Sequence, residues 1–304
     1  MAIWLVTGAS GLLGSNAALQ LGAGDSAVGA ARHVPGSSPI PFVAVDLDSP
    51  ESRAGLVEAT AADVVLHTAA VSSIEACERD PRLAHEVNVE ASADLAAQAA
   101  RAGARFIHIS TDAVFDGTGG QYTETSTPTP TTEYGRSKLA GERAVLEANP
   151  DALVARVNFY GWSPSGTRSL AEFFHTRLAA GLEAPGFTDV TVSTMYVGHL
   201  VEALRALVDV KATGLVHVVS SEATTKFDFG QRLARTFGFD EQLVTPSVSN
   251  AHLEIRRGSR LDLRTDRMSE LLGAVSPDQS AGIAQLAADR AAGRAEAVAQ
   301  FLDN

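Results

Sequence analysis

Cysteine is almost absent from this chain, because Cys77 is the only one among 304 residues. One thiol cannot form an intrachain disulfide, so nothing in the sequence indicates an oxidising compartment. We expect Cys77 to be a small buried or half-buried thiol. The eight histidines show no His-Glu-x-x-His spacing or similar ligand pattern, so no metal site is predicted.

Positive charge and long apolar runs are also scarce. There are 24 Lys and Arg residues against 36 Asp and Glu, giving a net charge of −12, and the chain therefore has no broad basic surface for nucleic acid or anionic membranes. No apolar run approaches the ~18 residues of a membrane span, and the first residues do not resemble a secretion signal. With 45% apolar and 20% charged residues, we expect a globular cytoplasmic protein that binds neither nucleic acid nor membranes.

The first apolar run, residues 3–7, ends in a glycine-rich turn at residues 8–14 and an Ala/Leu-rich stretch to about Leu21. This pattern predicts a buried strand, a tight turn and a helix. The spacing is Gly-x-x-Gly-x-x-Gly rather than the commoner Gly-x-Gly-x-x-Gly. Glycines in this context let the backbone approach a dinucleotide pyrophosphate at a helix N-terminus. The cofactor-binding residues predicted here are Gly8, Ser10, Gly11, Leu12 and Gly14.

The end of the second predicted strand, residues 26–31, decides between cofactors. An acidic side chain at this point would bind the adenosine ribose 2′-hydroxyl of NAD. Here Arg32 and His33 follow the strand, and a guanidinium group pairs well with a 2′-phosphate. We therefore assign Arg32 to the cofactor and favour NADPH, with NAD as an alternative. A solvated loop charge is the other interpretation of Arg32.

The third predicted strand, residues 42–45, is followed by Asp46 and Leu47. We assign both residues to the cofactor, because they follow a strand at the same edge of the sheet and could reach its adenine. Asp46 equally suits the N-cap of a helix that begins near Pro50.

Small residues follow the next apolar run, residues 62–67, where Ala69 and Ala70 would let a dinucleotide lie against the backbone. His67 ends this run, and we expect it to be a packed residue rather than a catalyst. Residues 73–101 have a helical pattern with a break at Asp80-Pro81. Within this stretch we assign Asn88 to the cofactor site.

The order of strand, glycine loop and helix repeats through residue 109, and a Gly/Thr/Pro-rich loop at 117–131 precedes a further helix. This regularity predicts an α/β fold with a parallel sheet covered on both faces, a doubly wound Rossmann-type sheet. The later pattern predicts strands near 190–193 and 214–219 and helices at 168–181, 196–209, 225–237 and about 281–302.

Tyr134 and Lys138 lie four residues apart in the helix after that loop, so they would share one helical face. A neighbouring ammonium stabilises a phenolate, and we therefore expect Lys138 to lower the pKa of Tyr134. This pairing makes Tyr134 a candidate general acid or base. A solvated helix pair without chemistry is the alternative for these two residues alone.

Four segments, 6–14, 110–117, 134–142 and 256–273, together resemble the extended short-chain dehydrogenase/reductases, and within them the dTDP-4-dehydrorhamnose reductase group. The resemblance implies an NADP-binding Rossmann domain at residues 1–157. It also implies a smaller, mainly C-terminal substrate-binding region at residues 158–304, with segments returning to the first domain.

The resemblance implies a catalytic triad of Thr111, Tyr134 and Lys138, with Lys138 also binding the nicotinamide ribose. It implies NADPH-dependent reduction of a keto group, most simply that of a nucleotide-linked 4-keto-6-deoxy sugar. The substrate-binding residues predicted on this basis are Asp112, Asn158 and Arg257. Arg257 is the candidate diphosphate partner, with a surface charge as its alternative, and an Asx-type loop role is the alternative for Asp112 and Asp116.

The chain departs from the family pattern at Ala113, where the family has Tyr, and near Phe159, where it has Trp. It also departs at residues 192–195, where the family has Gly-x-Pro-Thr, and at Gly258, where the family has Pro. The expected substrates therefore extend to other keto-sugar nucleotides and other ketones. Two different functions stay open, a nucleotide-sugar epimerase or dehydratase with retained NAD and a non-catalytic NADP-binding regulatory subunit. A homodimer could form through the helix at 78–101 or the final helix.

Overall fold

The computed structural model describes residues 1–249 and 259–302. The strands are β1 (Ile3–Thr7), β2 (Ser26–Ala31), β3 (Phe42–Ala44), β4 (Val64–His67), β5 (Arg105–Thr111), β6 (Leu153–Val157), β7 (Phe159–Tyr160), β8 (Ala184–Phe187), β9 (Thr191–Val192), β10 (Met195–Tyr196), β11 (Gly214–Val218), β12 (Thr224–Thr225), β13 (Val244–Ser247) and β14 (Arg260–Leu261). The helices are α1 (Leu12–Gly22), α2 (Pro50–Arg53), α3 (Leu56–Ala59), α4 (Ile74–Arg79), α5 (Pro81–His85), α6 (Ser92–Ala102), α7 (Glu133–Ala148), α8 (Leu170–Ala179), α9 (Val197–Asp209), α10 (Lys226–Phe237), α11 (Asp266–Leu272), α12 (Gln279–Ala291) and α13 (Arg294–Ala299). A π-helical turn spans Glu86–Ala91, and 3₁₀ turns span Asp112–Val114 and Glu241–Leu243.

A seven-stranded sheet forms the centre of the molecule, in the order β11-β6-β5-β4-β1-β2-β3. Every pairing in it is parallel, and apolar cores pack on both of its faces. Strands buried on both faces read as continuous apolar runs, which is how they appear in the sequence. The predicted Rossmann-type fold is confirmed. The strand order reverses between β1 and β4, where such sheets open a crevice at their carboxyl ends.

The helical stretch after β4 breaks where the sequence predicted. The Asp80 side chain accepts a hydrogen bond from the Leu83 amide at 3.0 Å, and Pro81 is the first residue of α5, a position that tolerates its missing N–H. The π-helical turn then joins α5 to α6. The prediction of one continuous final helix is wrong. Gly293 has a φ of +84° and separates α12 from α13, because a left-handed residue ends the helical path.

Segments from the second half of the chain complete the central sheet and add smaller ones. The strand β11 pairs with β6 at the sheet edge, while β7 with β10, β8 with β13, and β9 with β12 and β14 form separate small sheets. These small sheets lie beyond residue 157, where a substrate-binding region is predicted. In the described ranges, every helix is too short or too polar to pass through a bilayer.

A buried ion pair ties α7 to the sheet. Glu142 of α7 accepts hydrogen bonds from Arg156 of β6 at 2.9 and 2.8 Å and from the Ser110 hydroxyl of β5 at 2.5 Å. Glu142 and Arg156 are only 3% and 2% exposed, and the guanidinium lies 5.0 Å from the centre of the Phe115 ring. This pair therefore sets the position of α7 relative to the ends of β5 and β6.

We predict that Glu142→Gln lowers the free energy of unfolding by about 3–5 kcal/mol, because it leaves the Arg156 charge buried without its counter-ion. Urea unfolding followed by circular dichroism measures the change. Glu147→Gln, on an exposed position of the same helix, is the matched control and should change stability by less than about 0.5 kcal/mol. A loss below about 1 kcal/mol for Glu142→Gln would contradict this assignment.

Candidate active site

A cleft of about 870 Å³ opens at the carboxyl ends of the central strands. Loops after β1, β2, β4, β5 and β6 form its walls, at the strand-order reversal where dinucleotides bind in such sheets. Most of the predicted site residues meet here. Those that line the cleft are Gly8, Ser10, Gly11, Leu12, Gly14, Arg32, Asp46, Leu47, Ala69, Ala70, Thr111, Asp112, Tyr134, Lys138 and Asn158.

One predicted residue does not line the cleft, and another lies outside the described residues. Asn88 is fully buried, and its side chain accepts a hydrogen bond from the Val71 amide at 2.8 Å and donates to Val71 O at 3.2 Å and to Ser137 Oγ at 2.9 Å. Asn88 therefore joins the cleft-lining loop after β4 to α7. Arg257 lies outside the described residues, as does Gly258.

The backbone of the glycine turn is packed so closely that a side chain at any of its three glycines would crowd it. Gly8 has a φ of +68°, and a Cβ there would lie 2.8 Å from the Ala69 backbone. A Cβ on Gly14 would lie 2.2 Å from Gly8 O, and one on Gly11 would lie 3.2 Å from the same oxygen. Within the described residues, no side chain caps the first turn of α1 and that turn contains no acid. Its free amides fit the pyrophosphate of a dinucleotide.

Arg32 and Asp46 face each other across the cleft end nearest β2 and β3. Arg32 Nε and Asp46 Oδ1 are 3.8 Å apart, with the side chains 71% and 48% exposed, so this pair contributes little stability and leaves the guanidinium accessible. The alternative role of Asp46 as a helix cap is wrong. The Ser49 hydroxyl caps α2 by accepting from the Ser52 amide at 3.2 Å, because Ser49 directly precedes Pro50.

Asp112, which directly follows β5, and Asn158, which directly follows β6, are hydrogen-bonded to each other in the cleft. Asp112, 5% exposed, accepts hydrogen bonds from the Thr111 hydroxyl at 3.1 Å and from the Asn158 amide at 2.5 Å. Burial raises the pKa of Asp112, and these two hydrogen bonds oppose the rise. The Asx-type role is seen instead at Asp116, which accepts from the Thr118 amide at 3.0 Å and from its hydroxyl.

Tyr134 lies in the first turn of α7, whose N-cap is Thr132, accepting from the Gly135 amide at 3.1 Å. Lys138 follows one turn later, as predicted. Burial raises the pKa of Tyr134 to about 12, while a hydrogen bond with Thr111 opposes the rise. The expectation that Lys138 lowers this pKa is wrong, because burial is the largest influence on Tyr134 and Lys138 is not among the groups that shift it. Lys138 Nζ lies 3.2 Å from Nε2 of His108.

The Lys138 ammonium is 2% exposed, and burial lowers its pKa to about 8. Its imidazole partner, His108 on β5, is fully buried, and desolvation holds the pKa of His108 well below the usual value. The neighbouring His67 is a packed residue, as predicted, with hydrogen bonds to Thr7 at 2.7 Å and Ser92 at 3.0 Å. His108 was not predicted as a site residue, because it stands among apolar residues without a motif of its own.

A cleft wall formed after β7 by Pro164, Ser165 and Arg168 was not predicted either. The available signal was the Ser169/Glu172 capping box, which begins α8 immediately after Arg168. No group of three or more His, Cys, Asp and Glu residues in ranges 1–249 and 259–302 is arranged to hold a metal ion.

Comparisons with known proteins identify relatives across most of the chain. Residues 1–291 match the family described as the RmlD substrate binding domain. The probable low-salt glycan biosynthesis reductase Agl14 of Haloferax volcanii is 39% identical over 80% of this chain and 83% of its own. The dTDP-4-dehydrorhamnose reductase of Mycobacterium tuberculosis is 35% identical over 81% of this chain and 79% of its own.

Two further matches bear on function and fold. Methionine adenosyltransferase 2 subunit beta of Danio rerio is 31% identical over 88% of this chain and 84% of its own. A structure of dTDP-4-dehydrorhamnose reductase from Bacillus anthracis in complex with NADP has a TM-score of 0.82 at 22% identity. That match covers 95% of this chain and 98% of the solved chain, and it shows the shared fold.

We predict that Gly14→Ala weakens NADPH binding by at least about tenfold. The new methyl would lie 2.2 Å from Gly8 O, and relieving such overpacking costs about 1–3 kcal/mol by moving the turn. Titration of NADPH fluorescence measures the affinity, and circular dichroism confirms folding. Gly36→Ala is the matched control, because a Cβ there has no described atom within 4 Å. Equal affinity in Gly14→Ala and wild-type protein would contradict the role of this turn.

Proposed function

We propose that this chain, which belongs to the RmlD substrate binding domain family, is an NADPH-dependent ketoreductase acting on a nucleotide-linked 4-keto-6-deoxy sugar. Membership of this family confirms the resemblance seen in the sequence motifs. The observation that carries the proposal is that Thr111, Tyr134 and Lys138 line one cleft together with the glycine turn. The reductases among the relatives support the same chemistry.

The cleft residues fit NADPH, which supplies the hydride when bound. The glycine turn and the first turn of α1 would hold the diphosphate. Arg32 would bind the 2′-phosphate of the adenosine ribose, and Lys138 would bind the nicotinamide ribose. Asp46, Leu47, Ala69 and Ala70 would form the remaining walls. The accessible guanidinium of Arg32 favours NADPH over NADH.

Tyr134 acts as the proton donor in this proposal. A pKa of about 12 keeps its hydroxyl protonated at neutral pH, as a donor for ketone reduction must be. The substrate oxygen would accept hydrogen bonds from Tyr134 and from Thr111, whose single O–H would turn from Asp112 Oδ1 to the oxygen where negative charge develops. Lys138, with a pKa of about 8, stays mostly protonated at pH 7, and its ammonium can donate hydrogen bonds to the nicotinamide ribose.

Substrate recognition is assigned to the other side of the cleft. Asp112 and Asn158 are hydrogen-bonded to each other, so together they would present one carboxylate and one amide to the sugar hydroxyls. The predicted diphosphate role of Arg257 belongs to the same proposal. Phe159 also lines the cleft, near the position where the family has Trp.

A non-catalytic regulatory subunit is the second candidate, and the match to methionine adenosyltransferase 2 subunit beta favours it. Thr111, Tyr134 and Lys138 are all present and together in the cleft, which supports catalysis over that role. Retained NAD and an epimerase or dehydratase reaction would call for an acid at the position of Arg32.

We also propose a cellular location and an oligomeric state for the enzyme. The net charge of −12 supports function without nucleic acid, and we propose the cytoplasm as its location. A homodimer would use the outer faces of α6 or of α12 and α13. Size-exclusion chromatography with light scattering tests this assembly.

The proposed activity is tested by following NADPH oxidation by purified protein in the presence of dTDP-4-dehydrorhamnose and related 4-keto sugar nucleotides. We predict turnover in the wild type and a loss of about 10²-fold or more in Tyr134→Phe, because the general acid is removed. Tyr160→Phe is the matched control, since Tyr160 lies fully buried outside the cleft. NADPH binding without turnover of any of these sugars would favour the regulatory candidate, and unchanged turnover in Tyr134→Phe would rule out its proton-donor role.

We also predict that Arg32→Ala weakens NADPH binding by about tenfold, the value of one charged hydrogen bond, while leaving NADH binding unchanged. The two dinucleotides differ only in the 2′-phosphate, so their ratio of dissociation constants isolates this contact. Calorimetric titration gives both constants, and Arg101→Ala, exposed at the end of α6, controls for the loss of one charge. Equal weakening for both dinucleotides would show that Arg32 acts elsewhere.

A further inference from the structure

Arg168 is a cation of the cleft wall that the function proposed above does not use. It lies in the segment that connects β7 to α8, and it lines the cleft beside Pro164 and Ser165. Its backbone amide donates to Glu172 Oε2 at 2.8 Å and to Ser163 Oγ at 3.4 Å. The side chain is exposed, and its guanidinium has no hydrogen bond or ion pair with any residue in 1–249 or 259–302.

The segment that carries Arg168 is held by a buried carboxylate. Glu172, 2% exposed, accepts from the amide of Ser163 at 2.5 Å, from its hydroxyl at 2.8 and 2.9 Å, and from the amide of Ser169 at 3.0 Å. An acid in the first turn of α8 also favours the helix dipole. The backbone of Arg168 is therefore fixed, so binding through its side chain orders fewer bonds than binding through a loose loop.

The same segment is fastened to the glycine-turn helix. The Asn16 side chain in α1 donates to Trp162 O at 2.7 Å, and the Ser169 hydroxyl donates to Gly161 O at 2.7 Å. Arg168 and the first turn of α1 thus belong to one connected wall. Both attract anions, because the helix end presents free amides and the guanidinium presents a planar pair of donors.

Arg32 and Lys138, the other arginine and lysine among the described residues that line the cleft, each have a partner within the protein. Arg32 faces Asp46, and Lys138 contacts His108, whereas Arg168 keeps its donors for a ligand. We propose that Arg168 binds a diphosphate oxygen of a nucleotide in this cleft. The proposal rests on the function given above, in which two such groups enter the cleft, the diphosphate of the dinucleotide and that of the sugar nucleotide.

Arg168→Ala tests this contact in the full-length protein. We expect an affinity loss of about 10- to 100-fold, as for a hydrogen bond to a charged group. NADPH is titrated into the free protein, and dTDP into the protein saturated with NADP. Arg143→Ala is the matched control, because Arg143 is an exposed arginine on α7 outside the cleft, and it should change neither affinity by more than about twofold.

Each outcome decides a separate point. Weaker NADPH binding assigns Arg168 to the dinucleotide diphosphate, and weaker dTDP binding assigns it to the sugar-nucleotide diphosphate. If wild-type protein binds both ligands and Arg168→Ala binds them as tightly as Arg143→Ala does, the inference is overturned and the proposed function stands. If wild-type protein binds neither ligand, the proposed function fails, and the inference fails with it. Should Arg168→Ala unfold at a lower temperature than Arg143→Ala, Arg168→Gln, which keeps a polar side chain, is judged by the same criteria.

Discussion

The buried contact of Glu142 with Arg156 and Ser110 joins three elements that carry the candidate chemistry. Strand β5 ends at Thr111, and α7 carries Tyr134 and Lys138, so the distance between these groups depends on how the helix sits against the sheet. Two charges buried together are costly unless they are paired in good geometry, and Glu142 meets the Arg156 guanidinium through two nitrogens. The contact therefore holds α7 in one position against the sheet. Because Glu142 lies eight residues after Tyr134 in the same helix, it also fixes the position of the proton donor.

Desolvation shapes the chemistry in front of that contact. It raises the pKa of Tyr134 and lowers that of Lys138, so at neutral pH the pair consists of a protonated phenol and a mostly charged ammonium. This arrangement suits proton donation to a ketone better than proton removal from an alcohol. The Lys138 ammonium contacts the His108 imidazole of β5. The position of the ammonium therefore depends on the sheet as well as on α7.

Local patterns predicted most of the fold and the cofactor side of the cleft. The run of residues 3–7 and the glycine spacing after it are contiguous in sequence, and the strand ends gather at one edge of a parallel sheet. The contact of Lys138 with His108 spans 30 residues, and a single sequence carries no signal for such a pairing. The place of Arg168 in the cleft wall was missed although the capping box after it is local, because the contact of Asn16 with Trp162, which ties this segment to α1, spans 146 residues. The break at Gly293 could have been predicted from the residue itself.

The central claim is that the cleft carries out a net reduction of a keto sugar nucleotide at the expense of NADPH. Its most direct test uses NADPH deuterated at the transferred position of the nicotinamide, with the product analysed by mass spectrometry and NMR. The account predicts one deuterium per product molecule, on the carbon that carried the keto group, and one NADPH consumed for each. Product formed without deuterium and without net NADPH consumption would contradict it and indicate an enzyme that recycles its own cofactor.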